Sequence, residues 1–166
     1  MNIFTKLFFI ILFTLSIKNA ISQNVMLNVL TQKSGIIKKG ENLFLEVSVT
    51  NTNSKDFIGI YKLKVQINVP SGIVSIDSNG HILPTGWKVS SNNGSSIIIS
   101  NGMDMIAATD NRNLLISIKG NKIGGPSTIM GQLSFSDGVI PGTAAGSLKY
   151  DLPGDNSSTT TCKVVE

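Results

Sequence analysis

Apolar and polar residues alternate along several short segments of the chain, which is the pattern of half-buried β-strands. The clearest segment is Tyr61–Val69 (YKLKVQINV), where every second residue is apolar and the residues between them are Lys, Gln or Asn. Successive side chains of a strand point to opposite faces, so this segment should bury one face and wet the other. The predicted buried face contains Tyr61, Leu63, Val65, Ile67 and Val69.

The same alternation predicts further strands on both sides of this segment. Leu43, Leu45, Val47 and Val49 are in phase and should face a core. Other predicted strands are Val25–Thr31, Ile73–Ile76, Trp87–Ser91, Ser96–Ser100, Asn113–Lys119, Thr128–Phe135 and Thr159–Val165. Apolar residues do not recur at helical spacing over ten or more residues. The best helix candidate is Asn101–Asn113, and an irregular crossing is the alternative for it.

Short strands separated by turn-rich sequence predict an all-β domain. We expect an immunoglobulin-like Greek-key β-sandwich of about 7–9 strands, with a barrel of the same strand count as the alternative. The Cys…Trp…Cys spacing of antibody domains is absent, because Cys162 is the only cysteine. The likeness to those domains is therefore one of architecture.

The first 22 residues have the three parts of a secretory signal peptide. Lys6 supplies the charge, an apolar run follows at Leu7–Ile17, and Ala20 and Ser22 form a small-x-small site before Gln23. The run is shorter than the roughly 20 apolar residues that span a bilayer. We therefore expect a cleaved signal at 1–22, one domain at 23–166, and no membrane span after cleavage.

Removal of the signal changes the charge that can be assigned to the domain. The whole chain has 14 Lys and Arg against 10 Asp and Glu, a net charge of +4. Lys6 and Lys18 leave with the signal, which brings the net charge to +2. A nucleic-acid partner would require a clustered basic face, so none is expected.

His81 is the only histidine, and it would have to serve as the base in any Ser-His-Asp or Cys-His catalytic arrangement. It follows Asn79-Gly80 in a turn-like context without the spacing of a nucleophile elbow. We expect His81 to be exposed to solvent, and its replacement by Ala to leave the melting temperature nearly unchanged. No catalytic residue can be chosen, so the sequence predicts a protein that is not an enzyme.

A metal site finds little support in the sequence. Structural zinc sites use about four Cys or His ligands, and the chain offers Cys162 and His81. Loop calcium stays open, because Asp77-Ser78-Asn79-Gly80 begins like an oxygen-ligand loop. Further loop carboxylates are those of Asp104, Asp110, Asp151 and Asp155. Asx-turns account for the same residues, so no cofactor is expected.

Cys162 and Trp87 each allow a structural and a functional interpretation. Alternation places Cys162 in phase with Val164, which predicts a small buried side chain; the alternative is an intermolecular disulfide. Trp87 follows Pro84-Thr85-Gly86 and is predicted to anchor the core. The alternative makes Trp87 a tentative ligand contact, stacked on a sugar ring.

Three runs resemble bacterial conserved-repeat surface modules with an immunoglobulin-like fold. Gly40–Thr52 (GENLFLEVSVTNT) is similar to their opening, Val69–Ile73 (VPSGI) to a later strand end, and Asp155–Val164 (DNSSTTTCKV) to their closing strand. The chain departs from the pattern at Asn53, where Gly is usual, and holds one copy of a module that is often tandem. Cohesin-like modules are the nearest rival on fold. The resemblance implies a bacterial extracellular or cell-surface protein and transfers no active site.

Two hypotheses for the function follow. The first is a non-enzymatic secreted or cell-surface module, with the periplasm possible, that has a structural, spacer or adhesive role. It would contact envelope or extracellular proteins or glycans through exposed loops, or by adding a strand at a sheet edge. The alternative is a glycan- or peptide-binding module that uses exposed loops around Trp87.

Overall fold

The computed structural model describes residues 25–54, 57–135 and 155–166, which form ten β-strands and one 3-10 turn at Gln32–Gly35. The predicted signal peptide at 1–22 lies outside the described residues. The strands are β1 Val25–Thr31, β2 Ile36–Lys38, β3 Asn42–Asn51, β4 Leu63–Asn68, β5 Val74–Ile76, β6 Lys88–Asn92, β7 Ser96–Ser100, β8 Asn111–Gly120, β9 Gly124–Phe135 and β10 Ser157–Val165. In this part of the chain, no helix has the length and apolar character needed to cross a membrane.

The strands form two sheets, and the predicted β-sandwich class is confirmed. A four-stranded sheet has the order β1-β3-β8-β5, and a six-stranded sheet has the order β2-β10-β9-β4-β7-β6. All neighbours are antiparallel except β2 and β10, which are parallel. The chain crosses between the sheets several times, as a Greek-key arrangement requires.

The core lies between the sheets and is built by the alternation seen in the sequence. In β3, Leu43, Leu45, Val47 and Val49 are buried as predicted. In β4 the buried side chains are those of Leu63, Val65 and Ile67. Each of these strands therefore contributes one apolar face to a shared interior.

Two local predictions differ from the structure. Tyr61 is not on the buried face of β4; it is 45 % exposed and has a φ of 57°, which no extended strand allows. The strand begins two residues later, at Leu63. Residues 101–110 are an irregular crossing, the alternative to the helix. Three-residue β2 was not predicted, because alternation cannot be recognised over so short a segment.

One side of the sandwich is closed where β1 lies beside β10. The Val29 amide donates a hydrogen bond to Ser158 Oγ at 3.0 Å, and the hydroxyl oxygens of Thr31 and Thr160 are 3.5 Å apart. Gly131 in β9 lets β1 approach closely, because a Cβ atom there would lie 2.6 Å from Val29 Cγ2. The sheets thus join along this seam through side chains.

Candidate binding surface

Two connections meet at the end of the sandwich where β3 ends and β4 begins. One joins β3 to β4 through residues 52–62, of which 55 and 56 are not described, and the other joins β7 to β8 through residues 101–110. Ile58 and Ile106 pair as an isolated antiparallel bridge with N···O distances of 2.9 and 3.1 Å. Both side chains are buried, whereas Phe57, Met105 and Ala107 beside them are exposed.

Asn101 is fully buried beneath the two connections and binds backbone groups of both. Its Nδ2 donates hydrogen bonds to the carbonyl oxygens of Gly59 and Asp104, each at 2.7 Å. Its Oδ1 accepts a hydrogen bond from the Leu63 amide at 3.1 Å. A buried side chain that satisfies three backbone groups holds the backbone in one arrangement.

Asn51, at the end of β3, is a second buried side chain that binds backbone groups of both connections. Its Nδ2 donates to the carbonyl oxygens of Ile106 and Ala107, at 3.2 and 3.0 Å. Its Oδ1 accepts from the Asn53 amide at 3.1 Å. Both connections are therefore fixed by buried amide side chains.

The turn before β6 packs against the second connection. The Met103 amide donates to the carbonyl oxygen of Gly86 at 3.2 Å. Gly102 has a φ of 48°, and a Cβ atom there would collide with the same carbonyl oxygen. Only glycine accommodates both the backbone conformation and the close approach.

A charged cluster closes the core beneath these loops. Asp104 Oδ2 accepts hydrogen bonds from Trp87 Nε1 and from Arg112 Nε, both at 2.7 Å. Arg112 also donates to Asp110 Oδ2 at 2.5 Å. The two carboxylates raise the pKa of the Arg112 guanidinium, and its hydrogen bond lowers the pKa of Asp110. Arg112, the only arginine, therefore ties the second connection to β8.

The two connections expose apolar side chains. Five of the twelve large hydrophobic side chains that are exposed in the described residues lie on them. They are Phe57, Ile60, Tyr61, Met103 and Met105, with exposed fractions from 37 to 65 %. We call these five residues the loop surface. A cluster of exposed apolar side chains on a fixed backbone is typical of a binding surface.

Tyr61 in the loop surface combines exposure with backbone strain. Its positive φ is uncommon for a residue with a bulky side chain. The conformation is held by a hydrogen bond from the Tyr61 amide to the carbonyl oxygen of Gly102 at 2.6 Å. Lys88 Nζ lies 5.0 Å from the centre of the Tyr61 ring, within the range of a cation–π interaction. Strain of this kind is concentrated at functional sites.

Trp87, the tentative ligand contact, is buried with 7 % of its surface exposed. Its ring belongs to the core, and its indole nitrogen is engaged by Asp104. This is the anchor that the first interpretation predicts. A sugar-stacking role would need an accessible ring face, and the replacement of Trp87 by Ala would disturb the core instead of testing that role.

Cys162 is buried with 2 % exposure, in phase with buried Val164, as the alternation predicts. Burial raises the pKa of its thiol. Both properties disfavour reaction with another molecule, since a thiolate must form and be reached. The intermolecular disulfide stays a prediction.

His81 is half-buried, so the expectation of an exposed turn histidine is wrong. Its Nδ1 accepts a hydrogen bond from the Ser117 amide at 3.2 Å. In β8, the residues from Ile118 onwards pair with β5, and Leu115 pairs with Ile82. The imidazole binds the amide of Ser117, which lies between these two paired stretches. Burial lowers the pKa of His81, and a hydrogen-bonding interaction with the Asp77 backbone, followed by the charge of the Asp77 carboxylate, opposes this only in part.

Asp77, His81 and Ser117 are close together but are not arranged as a catalytic triad. The Ser117 hydroxyl donates to Asp77 Oδ2, and the imidazole binds the backbone amide of Ser117. Asn42 Nδ2 also donates to Asp77 Oδ2, at 2.6 Å. The hydrogen bond from nucleophile to base that such a triad requires is absent from this cluster.

Three of the carboxylates considered for calcium are held by protein groups at two different places. Asp77 binds Asn42 and Ser117, whereas Asp104 and Asp110 bind Arg112. Asp151 lies outside the described residues. Across residues 25–54, 57–135 and 155–166, no three Asp, Glu, His or Cys side chains are grouped so that they could hold a metal ion.

The sequence interpretation did not identify the loop surface. Phe57, Ile60, Met103 and Met105 stand in turn-rich segments, where apolar residues have no periodicity that an element could explain. Tyr61 begins an alternating segment, and the alternation wrongly assigned it to the buried face. Met103 and Met105 were within the candidate helix, which would have buried one of its faces. The sequence feature that could have indicated the loop surface is the presence of large apolar residues in segments without strand or helix periodicity.

No protein-family model and no curated protein sequence matches the chain. Among solved structures, it is similar to a cohesin module from a Clostridium perfringens family 33 glycoside hydrolase, with a TM-score of 0.53 and 12 % identity, over 84 % of this chain and 97 % of that one.

Two further structures match less well. One is the CARDB domain of the PF1109 protein from Pyrococcus furiosus, in complex with di-metal ions, with a TM-score of 0.46 and 12 % identity over 85 % of this chain and 87 % of that one. The other is an uncharacterised protein from Nocardia farcinica with an immunoglobulin-like fold, with a TM-score of 0.47 and 14 % identity over 82 % of this chain and 98 % of that one. At such identity the likeness concerns the fold, and the chain is an immunoglobulin-like β-sandwich of the architecture that cohesin modules also adopt.

Proposed function

We propose that this chain is a non-enzymatic module of an exported or cell-surface protein, and that it binds a partner protein through the loop surface. One observation carries the proposal: five exposed apolar side chains stand on loops that buried Asn51 and Asn101 hold in place. A surface fixed before binding loses little conformational entropy when a partner arrives.

The side chains of the loop surface favour a protein over a glycan. Met and aromatic residues are enriched in protein interfaces, and the flexible thioethers of Met103 and Met105 adapt to varied apolar shapes. Lys88 beside Tyr61 adds a positive charge at the border, which could pair with a carboxylate of the partner. A sugar would require several polar groups placed to bind its hydroxyls.

The sheet edges are poorly suited to binding a partner that would add a strand to the sheet. The edge of β1 is occupied by Ser158, and β2 and β5 have three residues each. The remaining described edge, β6, carries Lys88 and an irregularity between Val89 and Ser91. Charges, bulges and short strands are features that hinder pairing at an edge.

A structural, spacer or adhesive role agrees with these features. The predicted signal peptide at 1–22 and the resemblance to bacterial conserved-repeat modules support a position outside the cytoplasm. The cluster around His81 offers no activated nucleophile, which supports a role without catalysis. The module would then act by contact alone.

The test compares capture by the wild-type protein and by a Met103→Ser, Met105→Ser double variant. Immobilised proteins are incubated with an envelope extract of the source organism, and bound proteins are quantified. A protein captured by the wild type is purified, and its affinity is measured for both forms. Loss of two apolar contacts should weaken binding by about tenfold or more.

Met130→Ser serves as the matched control, because Met130 is 38 % exposed on the six-stranded sheet, away from the loops. It should bind like the wild type. Equal affinity of the double variant and the wild type would refute the proposal. So would a defined sugar that binds the wild type on a glycan array and does not bind the double variant.

A further inference from the structure

A second candidate surface lies on the outer face of the four-stranded sheet. A groove of about 380 Å³ crosses β1, β3 and β8 and reaches Ile82. Along β3, Glu46 in this groove is five residues from Asn51 at the loop end. At about 3.4 Å per residue this is roughly 17 Å, and Ser48, the groove residue of β3 nearest to that end, is roughly 10 Å from Asn51. None of the residues that line the groove belongs to the loop surface.

The strand register places four side chains of the groove in one row. Leu30 is opposite Glu46, Glu46 is opposite Leu115, and Leu115 pairs with Ile82. Leu30 is 51 % exposed and Ile82 is 57 % exposed, at the two ends of the row. Side chains directly opposite one another lie about 5 Å apart. The row is therefore a carboxylate with exposed aliphatic side chains on both sides.

The charge of Glu46 is not neutralised by its neighbours. Gln32 Nε2 donates a hydrogen bond to Glu46 Oε1 at 2.9 Å, and this donor is uncharged. Within the described part of the chain, the ion pairs are those of Arg112, and none involves Glu46. The side chains beside the row, Asn28 and Asn113, are also neutral. The groove thus presents one negative charge within an apolar and amide surface.

We propose that this groove binds a segment of a partner protein that carries Lys or Arg flanked by aliphatic side chains. The cation would pair with Glu46, and the aliphatic groups would cover Leu30 on one side and Leu115 with Ile82 on the other. Because the cation's partner is a carboxylate flanked by apolar side chains, both charge and shape select the segment. This surface is additional to the loop surface of the proposed function and does not depend on it.

Two other occupants fit the groove less well. A second copy in a two-fold dimer centred on this row would place the same row against itself, so that one Glu46 would approach the other. Like charges at such a contact oppose association. An anionic membrane surface would likewise be repelled by the carboxylate. The charge therefore favours a basic polypeptide segment.

The test uses a phage-displayed library of short random peptides, selected on the purified protein and depleted on a Leu30→Ser, Ile82→Ser double variant. The enriched peptides should carry Lys or Arg next to aliphatic residues. In binding measurements with a synthetic enriched peptide, Glu46→Gln should weaken affinity by up to about fivefold, because the exposed ion pair with the cation is lost. Ile82→Ser alone should also weaken it.

Controls separate this surface from the first one. Met105→Ser should leave peptide affinity unchanged, and equal melting temperatures should show that the exposed substitutions preserve the fold. The proposal fails if no peptide is enriched, if the enriched peptides lack a basic residue, or if Glu46→Gln binds like the wild type. It also fails if Leu30→Ser abolishes self-association in sedimentation, or if vesicles containing phosphatidylglycerol bind to the groove.

Discussion

Single polar side chains complete the backbone hydrogen bonding of this β-sandwich at three places. Asn51 and Asn101 satisfy loop carbonyl groups, and His81 satisfies the Ser117 amide in β8. A buried amide or carbonyl group left without a partner is costly, so each of these side chains contributes to the stability of its region. The sequence is rich in Asn, and nothing in a local pattern separates a buried Asn from one in an exposed turn.

His81 should make stability depend on pH. Its pKa in the folded protein is below the usual 6.5, so the unfolded chain binds the proton more readily. The stability present above pH 6.5 should therefore decline as the pH falls below that value, because burial disfavours the charged imidazolium and because protonated Nδ1 can no longer accept from Ser117. Urea unfolding of the wild type between pH 7 and pH 5 measures this decline.

His81→Ala should lower the free energy of unfolding at pH 7 by about 1–2 kcal/mol, because the Ser117 amide loses its acceptor. His81→Asn keeps an acceptor oxygen near the same place and should lose less. Both variants should have a flatter pH profile than the wild type. An alanine variant as stable as the wild type at both pH values would contradict this assignment.

Tyr61 should contribute to binding at the expense of stability. Tyr61→Asn places a residue that tolerates positive φ at the strained position, which favours the variant by about 1 kcal/mol. The lost cation–π interaction with Lys88, about 0.5 kcal/mol at an exposed site, opposes this gain. Thermal unfolding should show a variant at least as stable as the wild type, whereas affinity for a captured partner should fall. A marked loss of stability would show that Tyr61 is a packing residue.

At the scale of elements, alternation predicted strands well and connections poorly. β1 and β7 have the predicted limits, since their buried and exposed residues alternate up to the turns. β6 does not alternate, because four of its five side chains are exposed at a sheet edge, and its predicted start at Trp87 is one residue early. The loop surface depends on long-range bonds such as that between Asn101 and Gly59, which no local pattern encodes.

The two connections should loosen together when Asn101 is replaced. Asn101→Ala removes three hydrogen bonds in a buried site and should cost about 3 kcal/mol. Amide hydrogen exchange should increase at Leu63, Ile58 and Ile106, because the bridge and the strand start share this anchor. Asn79→Ala, in an exposed turn, is the control and should change stability little. Exchange that increases uniformly over both sheets would argue against a local anchor.

At the scale of the whole molecule, calcium should not affect stability. The carboxylates of Asp77, Asp104 and Asp110 already accept hydrogen bonds from protein groups, and binding an ion would require those bonds to break. Thermal unfolding with calcium and then with chelator should give the same midpoint. A rise in midpoint with calcium that the chelator reverses would reveal a site.

The two proposed surfaces should act independently. Glu46 lies roughly 17 Å along β3 from Asn51 at the loop end, and substitutions more than 7–10 Å apart without shared partners are usually additive within about 0.5 kcal/mol. The stability changes of Met105→Ser and Glu46→Gln should therefore add in the double variant, as measured by urea unfolding. A larger deviation would indicate coupling through β3.

The seam between β1 and β10 has a mechanical consequence. The contacts of Val29 with Ser158 and of Thr31 with Thr160 run in the same order along both strands, so these strands point the same way. Tension applied between Val25 and Val165 would then pull along the strand axes. The bonds of β1 to β3 would be loaded in shear and would have to break together, whereas peeling would break them singly. A domain loaded in this way resists stretching more than one whose strands are peeled apart.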